Sequence, residues 1–413
     1  MKKVPRVEPG QPSSVDWHDR IDATIKANFD RIVALRRHLH AHPEPSHEEL
    51  ATSLHLYQQF SEMELPVRMG PEGRGVIVDS RDDGEVPQSR RLALRADCDA
   101  LRITDEKQVA YHSRVAGVMH ACGHDAHSAI LFGAVVALDE LTQKGDLPVP
   151  VQWRGIFQPA EETCCGAHEM TAAGALEEVE AILALHVDPT RATGTIGVRP
   201  GIFTASCDDM RLVIHGRGGH GARPHLSKDP IGAAAQLINT LYQFVPRATD
   251  SQDAVVVSIR QIRGGENPNV IPETVELAGT LRTLDHSVRE QAIDQICALS
   301  KGVEEITGTK IEVRFEASIP SVYNDSHLNS LVSRAADEML GPDQLQVMPR
   351  ASMGSEDFAV YLDHVPGVMF RLGCAVDPSV APGLHTPLFD VDEQCLAIGA
   401  NLLARCVVEW TIG

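Results

Sequence analysis

The sequence lacks an apolar run long enough to cross a membrane. The longest, Ala129 to Leu138, falls far short of the roughly 20 residues that a spanning helix needs. Positive charge is also scarce: 37 Lys and Arg against 57 Asp and Glu leave a formal net charge of −20. A chain that acidic repels phosphate backbones, and no local basic stripe offsets it, so nucleic-acid binding is not expected. Behind the basic opening Met1-Lys2-Lys3-Val4-Pro5-Arg6 come Pro, Glu and Ser instead of an apolar stretch, so no secretory signal is expected either. The nine cysteines are odd in number and have no framework spacing; they read as reduced thiols of a cytoplasmic protein, some of them candidate metal ligands. Aromatic residues are few, at 4%, but 43% hydrophobic and 23% charged residues describe a soluble globular chain and exclude disorder.

What the sequence does have is histidine, 19 in all, several beside Cys, Asp or Glu at the short spacings of metal ligands. Its 413 residues suit two or three domains, or one large domain carrying an insertion. Residues 1–15 read as a loose leader. Ile21, Ile25, Ile32 and Leu35 recur at helical spacing, predicting one helix from Asp16 to Leu39 that His42-Pro43 stops. Val76–Val78 and Leu92–Leu94 read as short strands, and Val149 to Phe157 as an alternating one. Ala181–Leu185 is a continuous apolar run suited to a buried strand. Ala126 to Leu141 places Ile130, Ala134, Leu138 and Leu141 on one face of an amphipathic helix. Strands alternating with helices predict an α/β sheet covered on both faces.

The stretch 208–316 has its own pattern. Strands are expected around Leu212, Val257, Leu277 and Val313. A first helix starts at Asp229-Pro230, and a second behind a capping box formed by Ser287 and Glu290. The order β-α-β-β-α-β is ferredoxin-like, a compact unit inserted into the larger one.

Five places are candidates for chemistry. In His120-Ala121-Cys122-Gly123-His124-Asp125-Ala126-His127, Cys122 and His124 are two apart, so a turn lets thiolate and imidazole reach one ion; Asp125 is either a further carboxylate or a helix cap. Gln158-Pro159-Ala160-Glu161-Glu162 puts two carboxylates beyond the end of a buried strand, where one can bind metal and the other move a proton. Asp99, in Arg95-Ala96-Asp97-Cys98-Asp99, is the candidate orienter of His124. His186 ends an apolar strand, and His385 lies in Gly383-Leu384-His385-Thr386-Pro387. Two metal ions sharing such ligands about 3.5–4 Å apart are a usual arrangement for hydrolysing an amide or ester at neutral pH.

These motifs resemble the dinuclear metallopeptidase superfamily of the aminoacylases, nearest its branch of hippurate hydrolases and auxin-amino-acid (IAA-amino acid) conjugate hydrolases. The resemblance runs from about Arg36 onward and adds Gly218-Gly-His-Gly-Ala-Arg-Pro-His, Asn269-Val-Ile-Pro and Ser355-Glu-Asp-Phe to the motifs above. It implies a zinc-exopeptidase-like catalytic domain (residues 1–207 and 317–413, a mixed sheet flanked by helices) and a ferredoxin-like lid and dimerisation domain (208–316). It implies Cys122, His124, Glu162, His186 and His385 as ligands of two divalent ions, Zn²⁺ or Mn²⁺, with Co²⁺ or Ni²⁺ able to serve. Glu161 then matches the general base, His220 a lid histidine that reaches the reacting carbonyl, often in the partner subunit, and Asn269 and Arg282 the grip on a substrate carboxylate. The implied reaction is hydrolysis of N-acyl-L-amino acids, acetyl or aroyl, by a homodimer joined through the lid. A dipeptidase or carboxypeptidase of the same superfamily, and a non-catalytic carboxylate binder, are the alternatives. Two departures stand out: Arg102 where the family has Pro, expected to alter the loop near Asp99, and Cys164-Cys165 where it tends toward Gly.

Overall fold

The computed structural model describes residues 16–81 and 91–413, and the expected leader at 1–15 lies outside the described residues. An eight-stranded mixed sheet runs in the order Val67–Met69, Val76–Asp79, Trp153–Gln158, Arg91–Asp97, Val179–Ala192, Gly367–Ala375, Ile196–Val198, Leu345–Val347. Its centre is parallel: Arg91–Asp97 pairs in parallel with Trp153–Gln158 and with Val179–Ala192, which pairs in parallel with Gly367–Ala375. Helices cover both faces, as the alternation of elements leads one to expect. One core lies between the sheet and the helices Trp17–Ala27, Phe29–Ala41, His124–Lys144, Ser326–Leu340 and Gln394–Ile412, and a smaller one behind the other face around Phe203, Phe358 and Met369. Trp153–Gln158 is buried at every position instead of alternating, because both of its faces are covered.

Two helices depart from expectation. The predicted helix from Asp16 to Leu39 breaks at Asn28, whose backbone leaves the helical region (φ −97°, ψ 5°) and whose side-chain amide donates to Thr24 O and Glu140 Oε1, each at 3.0 Å. An asparagine that bonds backbone this way competes with the helical ladder. His124–Lys144 is not amphipathic: every residue from His124 to Asp139 is buried, since the sheet lies on one side and three helices on the other. Gln394–Ile412 is, among the described residues, the one helix long and apolar enough to cross a membrane, but it packs against His124–Lys144 in the core.

A second, four-stranded antiparallel sheet is built from the segment between Ser206 and Ile319. Its order is Val255–Arg263, Thr274–Thr283, Ser206–His215, Lys310–Ile319, the ferredoxin-like arrangement. Helices Pro230–Ala248 and His286–Thr307 cover one face, enclosing Leu212, Leu237, Leu241, Leu277 and Ile296. Asp229 caps the first helix, accepting from Ile231 N at 2.9 Å. The second helix is capped by Asp285 and not by Ser287: Asp285 Oδ1 accepts from Ser287 N at 2.7 Å and from Ser287 Oγ at 2.6 Å. The carboxylate is the stronger acceptor, so the Ser287–Glu290 box is displaced by two residues. The uncovered face of this sheet turns Asp209, Arg260 and Arg282 toward the carboxyl edge of the central sheet, closing a cavity between the two.

Candidate metal centre

Three strand ends deliver the site. Asp97 ends one strand, Gln158 ends the next just before Glu161 and Glu162, and His186 lies where Val179–Ala192 passes the carboxyl edge. Cys122 and His124 reach the same edge from a turn that only glycine makes without strain. Gly123 has φ 91°, and a Cβ there would meet Val187 Cγ2 at 2.5 Å. His385 arrives from a distant loop pinned by its own N–H, which donates to Ala121 O at 2.8 Å.

The donor atoms converge. Cys122 Sγ lies 3.4 Å from His186 Nε2 and 3.3 Å from His385 Nε2, and His385 Nε2 lies 3.4 Å from Glu162 Oε1. His124 Nε2 is 3.9 Å from both Glu161 Oε2 and Glu162 Oε1. Three triads, Cys122/His124/His186, Cys122/Glu162/His385 and His124/Glu161/Glu162, each hold their donor atoms within 4.8 Å of one another. Two buried donors, His124 Nε2 and Glu162 Oε1, have no hydrogen-bond partner among the described residues. Leaving such groups unpaired is costly, and a cation between them relieves both. Burial pushes the Cys122 thiol up to about 12, so a thiolate there needs a cation to hold it. Burial, aided by the charge of Arg371, holds His186 well below its ordinary value, the neutral form a ligand requires. The residues therefore fit a pair of thiolate- and imidazole-tolerant divalent ions.

Carboxylates set the imidazoles behind this group. His124 Nδ1 lies 3.0 Å from Asp99 Oδ1, and Asp99 Oδ2 accepts from Ser46 Oγ at 2.7 Å and from Glu162 N at 3.0 Å. Asp99 thus joins His124 to the Glu162 backbone. Burial, followed by the carboxylates of Glu356 and Asp357, pushes the Glu161 carboxyl well above its ordinary value.

Of the other candidates, some share this cavity and some do not. Arg282 lines the cavity and donates to Met353 O at 2.9 Å. His220 and Asn269 are exposed and do not line it; they sit together where Gly219–His220 pairs with Val270–Ile271, on a ribbon beside the second sheet. Asp125 is neither ligand nor cap: buried, it pairs with Arg36 Nε at 2.9 Å and His40 Nδ1 at 2.8 Å. Arg102 is exposed and bonds Glu48 without touching Asp99. Cys164 lines the cavity, Cys165 donates to Thr163 O, and all nine cysteines are free thiols.

The buried support beneath Glu161 is not apparent from the motifs. Arg95 donates to Asp97 Oδ2 at 2.7 Å, Gln158 Oε1 at 2.8 Å and Asp357 Oδ1 at 2.9 Å, with Glu356 Oε1 at 3.0 Å. Asp97 passes the link on to His127 Nδ1 at 2.6 Å. The acidic pair in Ser355-Glu356-Asp357-Phe358 was the available signal.

A central mixed sheet whose carboxyl edge gathers one thiol, three imidazoles and two glutamates under a second, smaller sheet defines a metal-dependent hydrolase of amide bonds. The chain belongs to peptidase family M20/M25/M40, whose profile matches residues 93–409. It is 35% identical over 386 residues to the N-acetylcysteine deacetylase of Bacillus subtilis, covering 93% of this chain and 97% of that one. It is 34% identical over 401 residues to thermostable carboxypeptidase 2 of Saccharolobus solfataricus, covering 96% and 100%. Among solved structures, a Bacillus subtilis dinuclear metal-binding peptidase of family M20 superposes with a TM-score of 0.78 at 32% identity, covering 93% and 98%.

Proposed function

We propose that the protein hydrolyses N-acyl-L-amino acids, acetyl or aroyl, to a carboxylic acid and an amino acid, with Cys122, His124, Glu162, His186 and His385 holding two divalent ions, Zn²⁺ or Mn²⁺. The observation that carries this reading is Glu161: a second carboxylate at the donor cluster, 3.9 Å from His124 Nε2, in a cavity of about 430 Å³ that a small amide fills. Bound ions would polarise the amide carbonyl and make water nucleophilic at neutral pH. The chain's own residues do the rest. Glu161 takes a proton on its free carboxylate oxygen and returns it to the departing amine; an environment that raises its pKa suits a group that must both accept and release one. Asp99 fixes the His124 ring so that Nε2 faces the cluster. Arg282 offers a planar fork to the substrate's α-carboxylate.

His220 and Asn269, exposed and away from this cavity, fit the reading as residues given to the partner subunit of a homodimer joined through the second sheet and its helices. The carboxypeptidase relatives make peptide hydrolysis the competing reading. Metal-loaded protein assayed on acetyl-, benzoyl- and aminoacyl-amino acids separates the two. Higher kcat/KM on the acyl substrates is expected; turnover of dipeptides alone would overturn the proposal in favour of a peptidase.

A further inference from the structure

Arg371 stands next to His186. The two are register partners across the parallel pair formed by Val179–Ala192 and Gly367–Ala375, so their side chains leave the sheet on the same face. The guanidinium carbon lies 5.4 Å from the centre of the Phe203 ring, and the side chain lines the same cavity as Cys122, Glu161 and His385. Among the described residues it makes no ion pair, although it is partly buried. The two carboxylates whose charge favours it most, Asp188 and Glu356, are engaged elsewhere. Asp188 takes Arg191 Nε at 2.9 Å and Thr190 Oγ1 at 2.6 Å, and Glu356 takes Arg95 Nη2 at 3.0 Å.

A guanidinium does not shed its proton to escape such a place. An unpaired, partly desolvated cation is disfavoured, more so beside residues suited to hold two further cations, unless an arriving anion completes it. The α-carboxylate is already matched by Arg282, which stands on the other sheet with one edge of its fork held by Met353 O. One planar fork satisfies one carboxylate, so two arginines on different walls match two.

We propose that Arg371 binds a second carboxylate of the substrate, and that the enzyme prefers N-acyl amino acids bearing two carboxylates over those bearing one. The proposal rests on the N-acyl amino acid reading. The extra carboxylate comes either from an acidic amino-acid side chain or from a dicarboxylic acyl group, and the shared chemistry is a carboxylate reaching the His186 side of the cavity.

The test uses metal-loaded protein and two isosteric pairs: N-acetyl-L-glutamate against N-acetyl-L-glutamine, and N-succinyl-L-leucine against N-succinamoyl-L-leucine. In one pair, which identifies the source, the charged member is expected to lead by about tenfold or more in kcat/KM, mostly through KM. Arg371→Gln should bring that ratio toward one, and Arg371→Lys should keep part of it. Calorimetric binding of glutarate against butyrate reads the same preference without turnover. A wild-type ratio at or below one in both pairs, or a ratio untouched by Arg371→Gln, overturns the proposal. Glutarate preference that depends on Arg371, with none of the four amides cleaved, supports the carboxylate site and overturns the N-acyl reading instead.

Discussion

The side chain of Glu49 accepts the backbone N–H of Ala160 at 2.8 Å, although 111 residues separate them. Ala160 occupies the left-handed region at φ 51°, a conformation that costs a non-glycine residue about 1–2 kcal/mol, and Glu161 follows it directly. Glu49 is fully buried and supports the turn that presents the Glu161-Glu162 pair.

Burial raises the Glu49 carboxyl to about 7. A carboxyl with a raised folded pKa stabilises the fold at low pH, and that contribution is lost as pH climbs from the unfolded value through about 7. Glu49→Gln is neutral throughout, so its stability relative to wild type should rise by on the order of 2 kcal/mol between pH 5 and pH 8. Urea unfolding at both pH values measures this; a constant difference would show that Glu49 is ionised over the whole range.

Gly123→Ala should cost about 2–4 kcal/mol, from the left-handed φ together with the 2.5 Å approach to Val187 Cγ2. Because the turn sets Cys122 against His124, the variant should also hold less metal per chain. Elemental analysis after gel filtration tests the second point, and full metal content would show that the turn relaxes without disturbing the donors.

Arg95 is fully buried among Asp97, Glu356 and Asp357. Arg95→Met strands those carboxylates and should destabilise by about 3–5 kcal/mol. A loss below about 1 kcal/mol in chemical denaturation would mean that water or protons replace the guanidinium cheaply.

Glu161→Gln should retain its metal and its fold while kcat falls by about 10²–10⁴-fold, since the amide cannot take up the proton. Near-normal turnover at full metal occupancy would remove Glu161 from the role of base.

Prolonged chelation should abolish activity and lower the unfolding midpoint, and added Zn²⁺ or Mn²⁺ should restore both, because ions bound only by the folded state stabilise it. Activity that survives verified removal would end the metal-dependent reading.

Elements whose signal is local were legible in the chain. Asp229-Pro230 announces a helix start by a cap and a fixed φ, and the apolar run at Ala181–Leu185 announces a strand buried on both faces. Where a nearby residue could serve equally well, local reading erred. Asp285 displaced Ser287 as cap, and Asn28 split a helix whose apolar spacing continues across the break. His124–Lys144 looked one-sided because spacing reports where apolar residues are, not whether a second layer covers the opposite side.

The chain by itself determined which donors exist and which lie together in short motifs: a thiol and an imidazole on one turn, two carboxylates behind one strand. Tertiary structure alone decided that His186 and His385 close on Cys122, that Arg95 unites Asp97 with Glu356 and Asp357, and that Arg371 is left without a carboxylate among the described residues. These partners are brought together by sheet register and loop closure. Pairing across a sheet depends on which strands become neighbours, and no spacing along one strand records that.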